Sequence, residues 1–432
     1  VITNRDGGAY AGAVQVVFTD GSPASVAELD EALQRALDGG EPLLPLDPRS
    51  PRAESLREAM APDEPGEPDT AVIIPTSGST GEAKGVLLSA SALLASARAT
   101  HARLGGPGRW LLATPANYVG GLQVLTRAWL AGVEPVTLDI ADGFDPDAFT
   151  AATRQLRDAP GPHADGPYYT ALVPTQLARL LAAGPEAVEA AAAYDAIVLG
   201  GARLDDELAR RAEDAGVRAV SSYGMSETAG GCVYDGYPLE GVSVRLGEGD
   251  RIELAGPMLS HGYRLRPDLT SGAFTADGWL RTSDVGSLYD DGTLAVLGRL
   301  DDMLNTGGVK VPAAGVEAAL TAHPQVRAAC VVALPDPEWG ERIAAVIVPE
   351  PAESGTDDTD TPGASGEPDT GGTGGPETAE QLSEALEEEL RALVRDRLGR
   401  AAVPKLLRHL PELPLIGPGK VDRAAVRAVL DD

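Results

Sequence analysis

Thr76-Ser77-Gly78-Ser79-Thr80-Gly81-Glu82-Ala83-Lys84-Gly85-Val86 directly follows the apolar run 71–75. A strand feeding a loop rich in glycine and hydroxyl residues brings backbone N–H groups and Ser/Thr oxygens around phosphate, and Lys84 adds a point charge. The segment departs from a Walker loop at two places. Ala83 precedes the lysine and Gly85 follows it, so the hydroxyl that would meet Mg²⁺ in that motif is missing. The plain alternative is a flexible Gly/Ser turn.

Working outward, short apolar runs at 71–75, 110–114, 133–138, 169–173, 196–199 and 219–222 alternate with longer helical patterns. Such alternation predicts strands joined by crossover helices, hence largely parallel sheets with ligands at the carboxyl ends of the strands. Upstream, Leu29, Leu33, Ala36 and Leu37 recur at helical spacing, with Ser25 and Glu28 as a capping box and Gly39-Gly40 as the stop. Beyond 241 the pattern changes to short strands at 242–246, 251–254 and 287–297, the last turning at Asp290-Asp291-Gly292. A second boundary falls near 298–302, followed by a helix at 315–323 and strands at 326–333 and 342–348.

The predicted fold is therefore α/β. A large N-terminal domain over 1–300, with mostly parallel sheets flanked by helices, carries a small β subdomain at about 241–300. A small α+β C-terminal domain covers 301–432. Within it, 350–378 holds eight acidic residues, no Lys or Arg and no large apolar side chain. It is expected to be a disordered insertion, lacking apolar surface to bury. A helix is expected at 379–398, with Leu382, Leu386, Leu390 and Leu393 as its stripe.

The chain has 432 residues, with 35 Lys and Arg against 65 Asp and Glu, a net charge of −30. That balance disfavours nucleic acid and anionic membrane surfaces as partners. No long apolar run offers a membrane span, and Asn4, Arg5, Asp6 and Gln15 interrupt 1–18 where a secretory signal needs apolar residues; the expected setting is cytoplasmic. The two cysteines, Cys232 and Cys330, stand far apart and are expected to be buried small hydrophobes. Oligomeric state has no signature in the sequence.

The 76–86 segment resembles the phosphate loop of the adenylate-forming superfamily of acyl-CoA synthetases, adenylation domains and luciferases. Further motifs follow in the same order. Tyr223-Gly224-Met225-Ser226-Glu227-Thr228 resembles the second nucleotide motif, Thr282-Ser283-Asp284-Val285-Gly286 the ribose motif, Gly298-Arg299-Leu300-Asp301-Asp302 the hinge motif, and Gly417-Pro418-Gly419-Lys420-Val421-Asp422-Arg423 the motif of the catalytic lysine. The resemblance implies ATP, Mg²⁺ and CoA as co-substrate, and a role for each matching residue. Thr76, Ser77, Gly78, Ser79, Thr80, Gly81 and Lys84 hold phosphate. Gly200, Gly201, Ala202 and Tyr223 with Gly224 receive adenine, and Thr228 approaches the α-phosphate. Asp284 and Arg299 take the ribose, and Glu227 with Thr80 serves the metal. Lys420 bridges the acid and the α-phosphate, and Asp301 is the hinge of a mobile C-terminal domain. Gly307, Gly308 and Lys310 resemble the segment turned toward pantetheine.

For an isolated Asp or Lys a solvated surface role is the ordinary reading; several motifs in one order reverse it. Asn117 stands where many relatives place a His gate to the acid pocket, and Tyr118 is the alternative gate, with Gly121 beside them. The compact N-terminal region and the segment 117–123 look most like o-succinylbenzoate–CoA ligases of menaquinone biosynthesis. That acid has two carboxylates, so its pocket needs a cation, with Arg203 the candidate. Two alternatives stay open: a ligase or adenylation enzyme for another carboxylic or amino acid, and a nucleotide-binding protein without catalysis.

Overall fold

Strands that are apolar at successive positions lie in sheets covered on both faces, and that sorting builds the first of two units. In the computed structural model, which describes residues 13–77, 83–306, 309–337, 339–350, 384–415 and 421–431, the units divide in sequence between Val296 and Leu297. In the first unit, β1 (Gln15–Phe18), β2 (Leu43–Leu46) and β3 (Val72–Ser77) run parallel, and β4 (Ala83–Leu88) returns antiparallel to β3. A second sheet holds β5 (Arg109–Leu112), β6 (Val136–Thr137), β7 (Tyr168–Leu172), β8 (Ala196–Leu199) and β9 (Ala219–Met225). They run parallel in the order β6-β5-β7-β8-β9, with β10 (Gly230–Tyr234) and β11 (Tyr237–Pro238) antiparallel at the far edge.

Alternate residues of these strands enter different cores. Leu112 and Val198 join Ile74, Val86, Trp110 and Tyr169 in a core filled by Leu29 and Leu33 of helix Pro23–Leu37, Leu93 of Ala90–Leu104, and Leu122 and Leu125 of Val119–Ala131. Leu111, Ile197 and Leu199 face the other way, against Phe149, Leu177 and Tyr194 from helices on the outer side. Each fully buried leucine contributes roughly 2 kcal/mol, which is why both faces are apolar.

Some local expectations shift. The first helix is capped by Ser22, whose hydroxyl accepts from Ser25 N, and Pro23 opens it. Proline is preorganised for the first turn and has no N–H to satisfy there, so Ser25 lies inside the helix instead of capping it with Glu28. The strand expected at 133–138 shrinks to β6, two residues that follow Pro135.

Next come β12 (Ser243–Leu246), β13 (Arg251–Ala255), β14 (Gly262–Tyr263), β15 (Leu280–Leu288) and β16 (Leu294–Arg299). β12-β13-β15-β16 form the small sheet expected after 241, whereas β14 leaves it and pairs with β4 of the first sheet.

The second unit is α+β. β17 (Met303–Thr306), β18 (Val309–Pro312), β19 (Val326–Asp336), β20 (Gly340–Pro349) and β21 (Leu406–His409) form one sheet in the order β18-β17-β20-β19, with β21 parallel beside β20. Helices Ala313–Thr321 and Glu384–Leu398 pack on it. The buried stripe of the second is Leu386, Leu390 and Val394. Leu393 is only half-buried, because spacing by four keeps one face and Val394 holds that place. The expected insertion, apart from Glu350, and Leu382 lie outside the described residues. Among the described residues no helix is long and apolar enough to cross a membrane, and Cys232 and Cys330 are both free and buried.

Candidate active site

Lys84 owes its place to a hairpin. β3 and β4 pair antiparallel with Thr76 opposite Lys84, and the Thr76 hydroxyl donates to the Lys84 carbonyl at 3.3 Å. Gly78, Ser79, Thr80 and Gly81 lie outside the described residues. Gly85 is required by contact: a Cβ there would sit 2.4 Å from Met60 Sδ and 2.9 Å from Ile73. Its bareness lets β14 close on β4, with Tyr263 opposite Val86.

That closure assembles a polar triangle. Lys84 Nζ donates to Glu227 Oε1 at 2.9 Å and to the Tyr263 hydroxyl at 3.1 Å; the Tyr263 hydroxyl donates to the same Oε1 at 2.8 Å. Lys84 Nζ also lies 4.3 Å from the Tyr263 ring centroid. Burial, and then the charge of Glu227, hold the phenol neutral by raising its pKa. Nothing in the sequence singled out Tyr263; a lone Tyr after Gly262 has no periodic or motif signal, and only strand pairing brings it to Lys84.

The parallel register sets the rest of the site. Leu112 pairs with Ala171, Leu172 with Leu199, and Leu199 with Ser221, so the segments leaving β5, β8 and β9 emerge at one carboxyl edge. Asn117 and Tyr118 follow β5, Gly200, Gly201 and Ala202 follow β8, and Tyr223 to Thr228 close β9. Gly201 has φ +80°, a left-handed turn that suits glycine. Gly224 is fixed by β10, since a Cβ would lie 2.1 Å from the Gly230 carbonyl oxygen.

Tyr223 and Asp284, from separate motifs, are bonded: the hydroxyl donates to Asp284 Oδ2 at 2.7 Å. Burial first, then that carboxylate, raise the tyrosine pKa. Thr228 is placed otherwise. It is fully buried, its hydroxyl accepting from Met225 N at 2.9 Å and donating to the Gly230 carbonyl at 2.6 Å, so here it holds the turn.

Along helix Val119–Ala131, Tyr118 is half exposed at the N-cap, and Gly121 is buried where a Cβ would meet the Pro115 carbonyl oxygen at 2.4 Å. One face of this helix carries Gln123 and Arg127, four residues apart, into the core beside His101, Trp110 and Tyr234, toward the amino side of the sheet. Arg127 is 3% exposed, 3.4 Å from the Tyr234 hydroxyl and 5.0 Å from the Trp110 ring. Among the described residues no carboxylate pairs with it. Arg127 Nε, Gln123 Oε1, His101 Nε2 and Trp110 Nε1 are buried without hydrogen-bond partners. Burial pulls the guanidinium pKa down, and an unpaired buried charge costs several kcal/mol. Arg203, the cation expected from sequence, is exposed after Gly200 to Ala202, in the segment that leaves β8 at the carboxyl edge.

In the second unit, Arg299 ends β16, Asp301 lies in the short turn Leu300–Asp302 and Lys310 on β18. Gly307, Gly308 and Lys420 lie outside the described residues. Arg423, three residues beyond Lys420, pairs with Glu317 at 2.9 Å and Asp302 at 3.4 Å and donates to the Val331 carbonyl at 2.6 Å.

Two family descriptions match the chain, AMP-binding enzyme over residues 10–261 and AMP-binding enzyme C-terminal domain over 315–365. A probable 2-succinylbenzoate–CoA ligase of Mycobacterium tuberculosis is 41% identical over 407 residues, covering 93% of this chain and 95% of that one. A feruloyl-CoA synthase of Amycolatopsis is 31% identical over 392 residues, covering 85% and 71%. Among solved structures, o-succinylbenzoate CoA synthetase of Bacillus subtilis in complex with its acyl-adenylate aligns with TM-score 0.67 at 23% identity, covering 94% of this chain and 81% of that one. The amide bond synthetase of Marinactinospora thermotolerans aligns with TM-score 0.70 at 24% identity, covering 98% and 90%. At these identities the structures speak to the fold alone.

Proposed function

The chain belongs to the AMP-binding enzyme family and is an AMP-forming acid–CoA ligase, and on that premise we propose that its acid is o-succinylbenzoate. The observation that carries the choice of acid is the likeness to the mycobacterial 2-succinylbenzoate–CoA ligase, 41% identical over nearly the whole chain. A second, unreacting carboxylate calls for a cation at the carboxyl edge, where Arg203 stands exposed after β8.

In this reading the acid's carboxylate oxygen attacks the α-phosphorus of ATP in line and pyrophosphate leaves. The CoA thiolate then attacks the acyl carbon of the adenylate and AMP leaves. Both reactants of the first step are anions, so charge neutralisation and positioning dominate. Lys84 supplies a positive charge to the phosphates, Tyr223 and the 200–202 backbone hold adenine, and Asp284 takes the ribose hydroxyls with Arg299. Lys420 bridges acid and α-phosphate, and Asp301 is the pivot between the two half-reactions, carrying Gly307, Gly308 and Lys310 toward the thiol.

The donor set suits Mg²⁺, which takes one or two carboxylates and fills its shell with phosphate and water. Glu227 offers one carboxylate, only one oxygen of which is engaged by Lys84 and Tyr263, and the described residues hold no cluster of three metal-ligating side chains that would demand a different ion. Glu227 and Thr80 would hold the ion, which neutralises charge on the departing pyrophosphate. The same reading sets the reaction in menaquinone biosynthesis, in the cytoplasm.

The test is pyrophosphate release from ATP and Mg²⁺ across a panel of acids, with and without CoA. Selective turnover of o-succinylbenzoate to its CoA thioester is the expected result. Turnover of another acid alone discards the substrate, and no release with any acid discards the ligase reading.

A further inference from the structure

Three chain segments far apart in sequence meet at one carboxylate oxygen. Lys84 comes from β4, Glu227 from the turn after β9, and Tyr263 from β14, and the three polar atoms lie within 2.8 to 3.1 Å of one another. The phenol is the only member with both a proton to give and a lone pair to receive: it accepts from Lys84 and donates to Glu227. It is 8% exposed and held rigidly, its backbone N–H bonded to Thr270 Oγ1 at 3.0 Å and its strand locked to β4. Lys84 and Glu227 are side chains for which the nucleotide reading above has other uses, phosphate for the one and the metal for the other.

We infer that Tyr263 is a positioning residue for nucleotide binding, which keeps the Glu227 carboxylate in place when Lys84 leaves it for phosphate. This rests on the nucleotide reading of the site but not on the identity of the acid. Bonded at 2.9 Å, the lysine and the carboxylate neutralise each other, so neither charge stands unpaired in a half-buried site. When the lysine moves to phosphate, Glu227 loses its cation at the moment when a second cation must find it. The phenol remains bonded to Oε1, fixes the carboxylate rotamer, and leaves the other oxygen open. Without the hydroxyl, the departing lysine would leave a carboxylate with no fixed donor, and binding of Mg²⁺·ATP would carry the cost of ordering it.

The experiment is calorimetric titration of ATP with Mg²⁺ into wild-type enzyme, Tyr263→Phe, Glu227→Gln and the double variant, with no acid present. Tyr263→Phe keeps the buried ring, and thermal unfolding of each variant verifies that it is folded. The expected result is a dissociation constant for Mg²⁺·ATP raised about tenfold in Tyr263→Phe. In the Glu227→Gln background the same change should add less than twofold, because the bond it removes serves the carboxylate. An unchanged dissociation constant, or fully additive losses in the double variant, would overturn the inference. Because no acid enters the titration, a wrong acid leaves the result standing; wild-type enzyme that binds no ATP would sink this inference and the nucleotide reading together.

Discussion

Tyr223 and Asp284 are joined by a 2.7 Å hydrogen bond across the boundary between the large parallel sheet and the small antiparallel one. In the proposed function these residues hold adenine and ribose, so one bond sets the angle between the two halves of the nucleoside site. Tyr223→Phe keeps the ring and removes this bond to the carboxylate. The expected outcome is a KM for ATP raised about five- to tenfold, in keeping with a lost bond to a charged group, and little change in kcat. Steady-state pyrophosphate release with ATP varied checks it; a fall in kcat at constant KM would contradict the assignment.

Arg127 and Arg203 separate stability from function. Replacing it by Met removes a buried charge without a carboxylate partner, which is often neutral or stabilising. Arg127→Met should therefore unfold at the wild-type temperature or above with little change in its KM for o-succinylbenzoate, because the residue lies in the core away from the carboxyl edge. Differential scanning fluorimetry and acid-dependent kinetics on one preparation read both. Arg203→Met, at the carboxyl edge after β8, should raise that KM with little change in stability. Reversal of the two phenotypes would move the carboxylate to Arg127.

Lys420→Ala should damage adenylation far more than thioester formation from supplied acyl-adenylate, because the lysine is assigned to the first half-reaction. Asp301→Pro should do the opposite, since a proline with fixed φ stiffens a pivot. Single-turnover assays of each half-reaction separate them. Equal loss in both halves for either variant would defeat that variant's assignment.

His101 makes the fold sensitive to acid. Burial, with the charges of Arg127 and His163 adding to it, lowers its pKa from 6.5 to about 4. The unfolded chain therefore takes up the proton first as pH falls, so the stability held above 6.5 drains between 6.5 and about 4. His101→Phe should flatten the stability profile in that window by roughly 1 kcal/mol after solvent screening. Urea unfolding at several pH values measures it, and an unchanged slope would place the acid sensitivity elsewhere.

How much of this was legible beforehand depended on whether the signal was local. The runs at 196–199 and 219–222 announced β8 and β9 because strands covered on both faces are apolar throughout, and Asp290-Asp291-Gly292 announced the turn between β15 and β16. Short strands such as β1 and β14 carried no such pattern. Their place comes from pairing with partners far along the chain, and with them went Tyr263. Arg127 was hidden for the opposite reason: it sits inside a well-formed helix, where a charged residue looks like part of an exposed face until the packing turns it inward. Ser22 was missed by one turn because Ser25 offers the same chemistry.

The common carboxyl edge of β5, β8 and β9 has an evolutionary corollary. The segments proposed to meet the acid and the nucleoside leave separate strands of one rigid sheet, each on its own connection. The stretch after β5, with Asn117 and Tyr118, can drift in shape and charge while the turns after β8 and β9 keep their register, which strand pairing fixes independently. A lineage can thus trade one carboxylic acid for another by editing a single connection, leaving the nucleoside apparatus inherited intact.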